Sequence, residues 1–448
     1  MKAHIHYSDL LLLHKLFCSA KSSFFVFDPY ECLINDTQED DSNRVNDSLT
    51  AEVIFNLSEG RLKFSGPSQF VFHFNTSNME GATEFLYYNN PDQTIRWIVP
   101  SENNKPYFLE LYNSNTLKGS LIRKSIELSY KLNMPSNLAS GRFYLEHSVH
   151  THIDALLNKS QGEGYSIFTG TKGENRKAII EIHDQNNITH FIKVALDKKP
   201  LELINNERHM LTSLSKYDFS SLSIPTPSEQ VEPYFVKLTN VKPDIIISSN
   251  RITEIHLRAL IELYSKSNSA KAIGETGAWD AISNQLQLLE NDPSIHSEID
   301  ASKVYKILNA LVDIHNQIDI NKIVPVSICH GDFTPWNMYM DKNRLYLYDW
   351  EMSDNNMPML FDLFHFIFQT EVLINHGSWD EVEFKIDEML QLPHAKELIN
   401  KFGIDIDLHL KLYLLFNISY YLRLYMNQRQ LHKQAHWLVA AWEGALCK

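Results

Sequence analysis

The chain has 448 residues, more than one compact core usually holds, so we expect two or three domains. Its composition, 44% hydrophobic and 21% charged, is that of a globular protein rather than a disordered one. With 41 basic and 55 acidic side chains, the net charge is −14. This charge argues against a nucleic-acid partner, because proteins bind nucleic acid largely through its negatively charged phosphates.

The cysteines and the apolar segments indicate a cytoplasmic protein. The four cysteines have no CxxC spacing, which favours a reducing compartment without disulfides or a zinc site; they are Cys18, Cys32, Cys329 and Cys447. The apolar start at Leu10–Leu13 is interrupted by charged residues and does not predict a signal peptide. Leu412–Met426 is too short to cross a bilayer, so we expect no membrane span.

The first 150 residues show a strand pattern. Short runs rich in Phe and Val alternate with turn residues, at Ser23–Phe27, Ala51–Asn56 and Phe70–Phe74. The acidic run Asp36–Asp47 predicts a loop, and Thr116–Leu132 predicts a helix with a basic face. Residues 1–150 are therefore expected to form a separate β-rich domain, and no pattern in them indicates its role.

A second β pattern begins at Gly162. Three segments, 162–170, 176–182 and 191–196, predict antiparallel strands, and a helix is expected to open near Pro200. From residue 243 the composition becomes helical, with predicted helices at Thr253–Ser265, Ala281–Glu290 and Ser302–Asn316. We expect one domain over 151–242 and a second over 243–448.

Lys193 stands out within the third of these strands. Alternation places it on the same face as Phe191 and Ala195, and a lysine on an otherwise apolar face requires an anionic partner. Glu207 is a candidate, because helical spacing puts it on the apolar face of the next helix. The alternative is that Lys193 extends to solvent and Glu207 lies at a surface.

The most informative segment has the sequence HGDFTPWN, His330 to Asn337, followed by a short apolar strand and then by Asp349 in the run DWE. Phosphoryl transfer requires a carboxylate at the acceptor hydroxyl and oxygen ligands for magnesium. Asp332, Asn337 and Asp349 offer those groups in the order and spacing found in protein kinases. The segment therefore predicts a phosphoryl-transfer site.

With His-Gly-Asp in place of the protein-kinase His-Arg-Asp, Ser327–Gln369 resembles the aminoglycoside phosphotransferases and choline kinases. The resemblance extends less specifically over about residues 160–448. It implies an α+β, bilobal, protein-kinase-like fold, with an antiparallel β N-lobe and a mainly helical C-lobe, preceded here by the separate β-rich domain. It also implies ATP and Mg²⁺ as cofactors and a hydroxyl of a small molecule as the acceptor.

The same resemblance implies roles for the residues of the catalytic segment. Asp332 corresponds to the catalytic carboxylate, and Asn337 and Asp349 correspond to the magnesium ligands. His330 and Asp362 correspond to structural supports of the loop.

The resemblance further implies a nucleotide site. Lys193, positioned by Glu207, corresponds to the residue that grips the triphosphate. Thr239 and Val241 lie where a backbone hinge would bind adenine. The glycine-rich loop of protein kinases is not matched; Ser166 is our candidate phosphate ligand there.

Three alternatives remain open at this point. A protein kinase is disfavoured because only twelve residues separate Asp349 from Asp362, too few for an activation segment. A kinase-like nucleotide-binding module without catalysis, or a main activity in residues 1–150, is also compatible with the sequence. The acceptor is left open among a sugar, an amino sugar and an amino alcohol, possibly in glycan biosynthesis, and the oligomeric state is unknown.

Overall fold

The fold is known from a computed structural model, which describes a defined set of residues. They are 9, 12, 13, 16, 17, 52–56, 61–65, 70–74, 79, 81–110, 117–147, 153, 157, 164–170, 175–184, 187–229, 234–291, 298–426, 431 and 433–446. The predicted strand Ser23–Phe27 and the predicted loop Asp36–Asp47 lie outside the described residues. The chain divides into two compact units, Met1–Ile204 with Pro227–Asn240, and Asn205–Thr226 with Val241–Lys448.

The first unit is built on one antiparallel sheet of ten strands. In chain order these are β1 Glu52–Asn56, β2 Arg61–Ser65, β3 Phe70–Phe74, β4 Thr83–Asn89, β5 Ile95–Pro100, β6 Gly141–His147, β7 Gly164–Phe168, β8 Lys177–His183, β9 Ile188–Ala195 and β11 Phe235–Thr239. Their order in the sheet is β1-β2-β3-β6-β4-β5-β7-β8-β9-β11. The predicted strands after residue 162 and the strand-rich character of the first 150 residues are thus confirmed.

The sheet continues across the expected domain boundary near residue 150. β5 pairs with β7 through Trp97 opposite Phe168 and Ile98 opposite Ile167. This pairing satisfies backbone groups that β7 would otherwise expose as an edge strand. The strands before residue 150 therefore do not form a sheet of their own, and the division into domains 1–150, 151–242 and 243–448 stays a prediction.

Apolar side chains line one face of this sheet. Register carries Ile98, Ile167, Ile180 and Ile192 across four neighbouring strands, and each is fully buried. On the opposite face Trp97 and Phe168 pack with their rings 4.9 Å apart. The alternation of β9 follows from this arrangement, because Ile192 enters the core and Lys193 faces the other side.

A helix and a short 3₁₀ turn accompany the N-terminal strands. Helix α1, Leu117–Lys131, confirms the helix predicted over Thr116–Leu132. Tyr107–Glu110 forms the 3₁₀ turn directly after the loop that follows β5. Phe108 and Leu109 of this turn pack in a cluster with Ile126 of α1.

The second unit is mainly helical. Helix α2, Lys198–Leu214, begins in the first unit and continues into the second; the other helices are α3 Glu254–Ser267, α4 Gly277–Asn291, α5 Ala301–Gln317, α6 Phe361–Gln369, α7 Trp379–Leu390, α8 Pro393–Phe402, α9 Ile406–Met426 and α10 Lys433–Leu446. The helices predicted near Pro200, at 253–265, at 281–290 and at 302–316 are confirmed.

Two small sheets lie among these helices. The first joins β10 Leu222–Ser223, β15 Leu345–Leu347 and β14 Met338–Met340; the second joins β12 Ser269–Ala272, β13 Ile323–Cys329 and β16 Asp354–Pro358. The segment 330–353 connects β13 to β16 and contains the β14–β15 hairpin. The predicted catalytic residues therefore lie close together around one hairpin.

Among the described residues, none of the helices is both long enough and apolar enough to traverse a lipid bilayer.

Candidate active site

Asp362 organises the start of the catalytic loop from the first turn of α6. Its carboxylate accepts the backbone N–H of His330 at 2.9 Å and that of Gly331 at 3.1 Å. The Cys329 thiol donates to it at 3.0 Å. Burial, followed by the neighbouring charge of Asp362, raises the pKa of Cys329 well above its ordinary value, so this cysteine stays a thiol.

Gly331 and His330 fix the path of the loop. Gly331 has a φ of +83°, and a Cβ atom there would lie 2.1 Å from the carbonyl oxygen of Met352, so only glycine fits. His330 is fully buried, and its Nε2 lies 2.9 Å from the carbonyl oxygen of Tyr348. These contacts fit the supporting role predicted for His330 and Asp362.

Asp332 and Asn337 meet inside the loop. The Asn337 side-chain nitrogen donates to Asp332 Oδ2 at 2.8 Å and to its carbonyl oxygen at 3.0 Å. Asn337 is held in turn by its own carbonyl oxygen, which accepts the N–H of Tyr348 at 3.1 Å. The structure thus brings the predicted catalytic carboxylate and one predicted metal ligand into direct contact.

Three carboxylates gather next to the hairpin. One oxygen each from Glu207, Asp349 and Glu351 lies within 4.8 Å of the others. Glu207, on α2, is fully buried, and its Oε1 accepts the backbone N–H of Trp350 at 3.1 Å. Asn206 fastens the same helix by donating to the carbonyl oxygens of Glu351, at 3.0 Å, and Ser353, at 2.8 Å.

Asp349 adopts a backbone conformation that residues other than glycine rarely adopt. Its φ is +68° and its ψ is +57°, in the left-handed region. Such strain is concentrated at functional sites, where the surrounding contacts enforce it. It turns the chain directly after β15, so that Asp349 and Glu351 both reach Glu207.

His365 is a site residue that our sequence analysis missed. It lies on α6, one turn after Asp362, with Nε2 at 3.4 Å from Asp332 Oδ1. Burial disfavours the charged form of Asp332, but the pKa of Asp332 is nevertheless lowered, chiefly by the hydrogen bond with His365. The available signal was the three-residue spacing, which places Asp362 and His365 on one face of a helix.

A cavity of about 280 Å³ opens beside the loop. Gly331 and His365 contribute to its lining, together with Asp354, and α9 supplies an aromatic wall of Tyr413, Phe416, Tyr420 and Tyr421. Burial and the charge of Asp332 raise the pKa of Tyr421 well above its ordinary value, so its hydroxyl stays protonated. The cavity has the lining of a small-molecule site, with an apolar wall and a few polar groups.

The remaining predicted residues belong to other parts of the chain. Lys193 lies on β9 in the first unit with 7% of its surface exposed, and its pairing with Glu207 stays a prediction. Thr239 ends β11 and Val241 follows two residues later; both are half-buried, and their role at adenine stays a prediction.

Ser166 has a different environment from the one we expected. It is fully buried on β7, where its hydroxyl donates to Glu181 at 2.9 Å and lies 3.3 Å from His183 Nε2. The ring of Tyr107 stacks on His183 with centroids 4.3 Å apart. A hydroxyl enclosed in this way is committed to protein partners, so its placement gives no support to Ser166 as a phosphate ligand.

Comparison with protein families supports the interpretation of the loop as a phosphoryl-transfer site. The model of the phosphotransferase enzyme family matches residues 194–382. That range contains the Asp332–Asn337 pair and the cluster of Glu207, Asp349 and Glu351. The suspected family resemblance is thereby supported over residues 194–382, and the strands and helices of the structure confirm the expected α+β class.

Individual relatives are distant. The chain is 29% identical over 171 residues to Protein LicA of Haemophilus influenzae strain ATCC 51907 / DSM 11121 / KW20 / Rd, covering 36% of this chain and 60% of the relative. A second Protein LicA of Haemophilus influenzae is 28% identical over 171 residues, covering 36% of this chain and 47% of the relative. The match thus spans between about half and three fifths of those relatives.

Solved structures of similar shape include two aminoglycoside phosphotransferases. The GDP complex of a mutant aminoglycoside 2'-phosphotransferase-IIIa has a TM-score of 0.43 at 13% identity, covering 65% of this chain and 93% of that one. The ADP-bound APH(2'')-Ib has a TM-score of 0.37 at 13% identity, and the match covers 65% of this chain and 97% of that one. Over residues 194–382, the chain is thus similar to the phosphotransferase enzyme family, and this similarity agrees with the expected small-molecule kinase.

Proposed function

We propose that this enzyme transfers the γ-phosphate of ATP, with Mg²⁺, to a hydroxyl of a small molecule. The observation that carries the proposal is the grouping around one hairpin of Asp332, Asn337 and the three carboxylates. A carboxylate at the acceptor and oxygen ligands at the metal are the groups that phosphoryl transfer asks of a protein.

The residues present suit magnesium. Glu207, Asp349 and Glu351 offer carboxylate oxygens within 4.8 Å of one another, and oxygen is the ligand type that Mg²⁺ prefers. The Asn337 side-chain nitrogen donates to Asp332, so its amide oxygen is the atom it can offer to a metal. When bound, the metal would neutralise charge on the phosphates. We assign Asp349 and Asn337 as ligands, with Glu351 and Glu207 beside them.

Asp332 acts at the acceptor. Its lowered pKa keeps it ionised at neutral pH, so it accepts a hydrogen bond from the acceptor hydroxyl and orients that oxygen towards the γ-phosphorus. It takes the proton as the new O–P bond forms and the bond to the ADP oxygen breaks. A loose transition state demands little base strength, so orientation is the larger part of its contribution.

The nucleotide assignment follows from the sequence resemblance, and the acceptor assignment follows from the cavity. Lys193, positioned by Glu207, is proposed to bind the triphosphate, and the backbone at Thr239 and Val241 to bind adenine. The cavity lined by Gly331 and His365 is proposed to receive the acceptor, which we restrict to a sugar, an amino sugar or an amino alcohol. A cytoplasmic location is kept as a prediction.

An acceptor screen tests the function. Purified protein is incubated with ATP, Mg²⁺ and each sugar, amino sugar or amino alcohol, and ADP release is recorded with and without acceptor. We expect at least one acceptor to raise ADP release in the wild type and none to do so in Asp332→Asn. ATP binding by calorimetry without turnover on any acceptor would instead support a nucleotide-binding module.

A further inference from the structure

His365 connects the catalytic carboxylate to the wall of the cavity. Its Nε2 lies 3.4 Å from Asp332 Oδ1. Its Nδ1 lies 3.4 Å from the Tyr413 hydroxyl and 3.4 Å from the Asn417 side-chain nitrogen, both on α9. The ring is 6% exposed, so these groups rather than water surround it. All four residues belong to the second unit.

The chemistry of these partners selects one form of the ring. An ionised carboxylate only accepts hydrogen bonds, so Nε2 must carry a proton to bond with Asp332. The Asn417 nitrogen only donates and the Tyr413 hydroxyl is free to donate, so Nδ1 must be the acceptor. Only the neutral Nε2–H tautomer satisfies both sides.

The same contacts hold Asp332 at both oxygens. Oδ2 accepts from Asn337 at 2.8 Å, and Oδ1 faces His365. With both oxygens restrained, the carboxylate is held in one orientation. The distances of 3.4 Å are long for hydrogen bonds, as catalytic contacts often are before substrate binds.

We propose that His365 is a positioning residue, held as the Nε2–H tautomer by Tyr413 and Asn417, which orients Asp332 towards the acceptor hydroxyl. This inference rests on the proposed function, because it gives His365 a part in that reaction. Asn417 also has a proposed role in binding the acceptor. Its Oδ1 is buried without a hydrogen-bond partner among the described residues, and Asn417 lines the cavity, so a donor group on the acceptor can bind there.

Two substitutions at His365 separate orientation from packing. His365→Phe keeps a ring but removes both nitrogens, and we expect kcat to fall about 10-fold to 100-fold with an unchanged KM for ATP, as a misplaced reacting group costs. His365→Gln restores an N–H near the position of Nε2, and we expect it to recover most of the loss. His409→Gln, at an equally buried histidine whose Nδ1 contacts a backbone oxygen, is the control and should keep full kcat.

The α9 residues have separable effects. Tyr413→Phe removes one hydroxyl and should lower kcat several-fold without unfolding the protein. Asn417→Leu removes the donor to Nδ1 and the acceptor oxygen in the cavity, so we expect kcat to fall and the KM for the small-molecule acceptor to rise.

Nitrogen NMR of histidine-labelled protein reads the tautomer without any turnover. The His365 signal is identified by its loss in His365→Gln, and we expect the Nε2–H pattern in the wild type and a mixed pattern in Asn417→Leu. An Nδ1–H or doubly protonated ring in the wild type would overturn the proposal. So would a His365→Phe enzyme with wild-type kcat, or a His365→Gln enzyme as slow as His365→Phe.

These readouts distinguish a failure of the proposed function from a failure of the role of His365. A wild type that transfers no phosphate to any acceptor, but shows the Nε2–H ring, overturns the proposed function and leaves the contact intact. A wild type that transfers phosphate while His365→Phe is unaffected leaves the function and overturns the role of His365.

Discussion

The catalytic loop of the second unit and the polar cluster of the first unit are both networks of hydrogen-bonded side chains, but they differ in access. Asp332 is bonded through Asn337 and still exposes 34% of its side chain. Ser166, Glu181 and His183 expose none. Because a reacting group must meet its substrate, we infer that the loop serves turnover and the buried cluster serves stability.

The largest effect is expected from removing the Asp332 carboxylate of the catalytic loop. Asp332→Ala removes the carboxylate that orients the acceptor, and we expect kcat to fall by about 10²- to 10⁴-fold, the usual cost of losing a positioned base. Thermal unfolding should change little, because the residue is partly exposed. Asp313→Ala, at an exposed position on α5, is the matched control and should retain wild-type kcat.

The second effect concerns the metal. Asp349→Asn removes one charge from the carboxylate cluster, and we expect turnover at low Mg²⁺ to fall on the order of 10²-fold, because the metal supplies several kcal/mol to the transition state. Raising the Mg²⁺ concentration should recover part of the loss. An Mg²⁺ titration that matches the wild type, with Asp319→Asn as the control, would remove Asp349 from the metal site.

The third effect belongs to the buried cluster and depends on pH. Burial lowers the pKa of His183 to about 4, partly offset by the charge of Asp184. The unfolded chain binds this proton near pH 6.5, so stability is complete above pH 6.5 and is lost as pH falls towards 4. A shift of that size corresponds to about 3 kcal/mol. Urea unfolding should show a smaller loss between pH 7 and pH 4.5 in His183→Gln than in the wild type.

A histidine outside the cluster supplies the comparison for that experiment. His209 is exposed on α2, so His209→Gln should lose as much stability as the wild type over the same pH range. Identical pH dependence in wild type and His183→Gln would show that His183 is not buried as a neutral ring.

The smallest effect sharpens the contrast between the two networks. Ser166→Ala removes the donor to Glu181 and should lower the free energy of unfolding by about 1–3 kcal/mol, the cost of an unmet buried group. The KM for ATP should be unchanged, whereas a phosphate ligand would raise it. Ser125→Ala, an exposed serine on α1, should change neither quantity.

The sequence was most informative where the site is contiguous. Asp332, Asn337 and Asp349 are close along the chain, and the short hairpin between them leaves few ways to arrange them. Helix positions were also predictable, since their periodicity is local. The three-residue spacing of Asp362 and His365 is equally local. Because Asp362 was predicted to support the loop, a residue on the same helix face could also have been predicted to contact the loop.

Contacts between distant segments could not be predicted in the same way. The pairing of β5 with β7 depends on which strand meets an edge, and neither segment encodes its partner. Glu207 was placed on a buried helix face, but its approach to Glu351 depends on how α2 packs against the hairpin. Ser166 as a phosphate ligand stays a prediction, and glycine spacing says nothing about Glu181 and His183, which the sheet register brings beside it.

Phosphorus NMR of a single reaction mixture tests the central claim most directly. Wild-type protein, ATP, Mg²⁺ and an active acceptor should give a new phosphate monoester signal that grows in step with ADP and is absent with Asp332→Ala. ADP accompanied only by inorganic phosphate, or an ester signal of equal size from Asp332→Ala, would contradict the assignment of Asp332 as the carboxylate that directs phosphate to an acceptor hydroxyl.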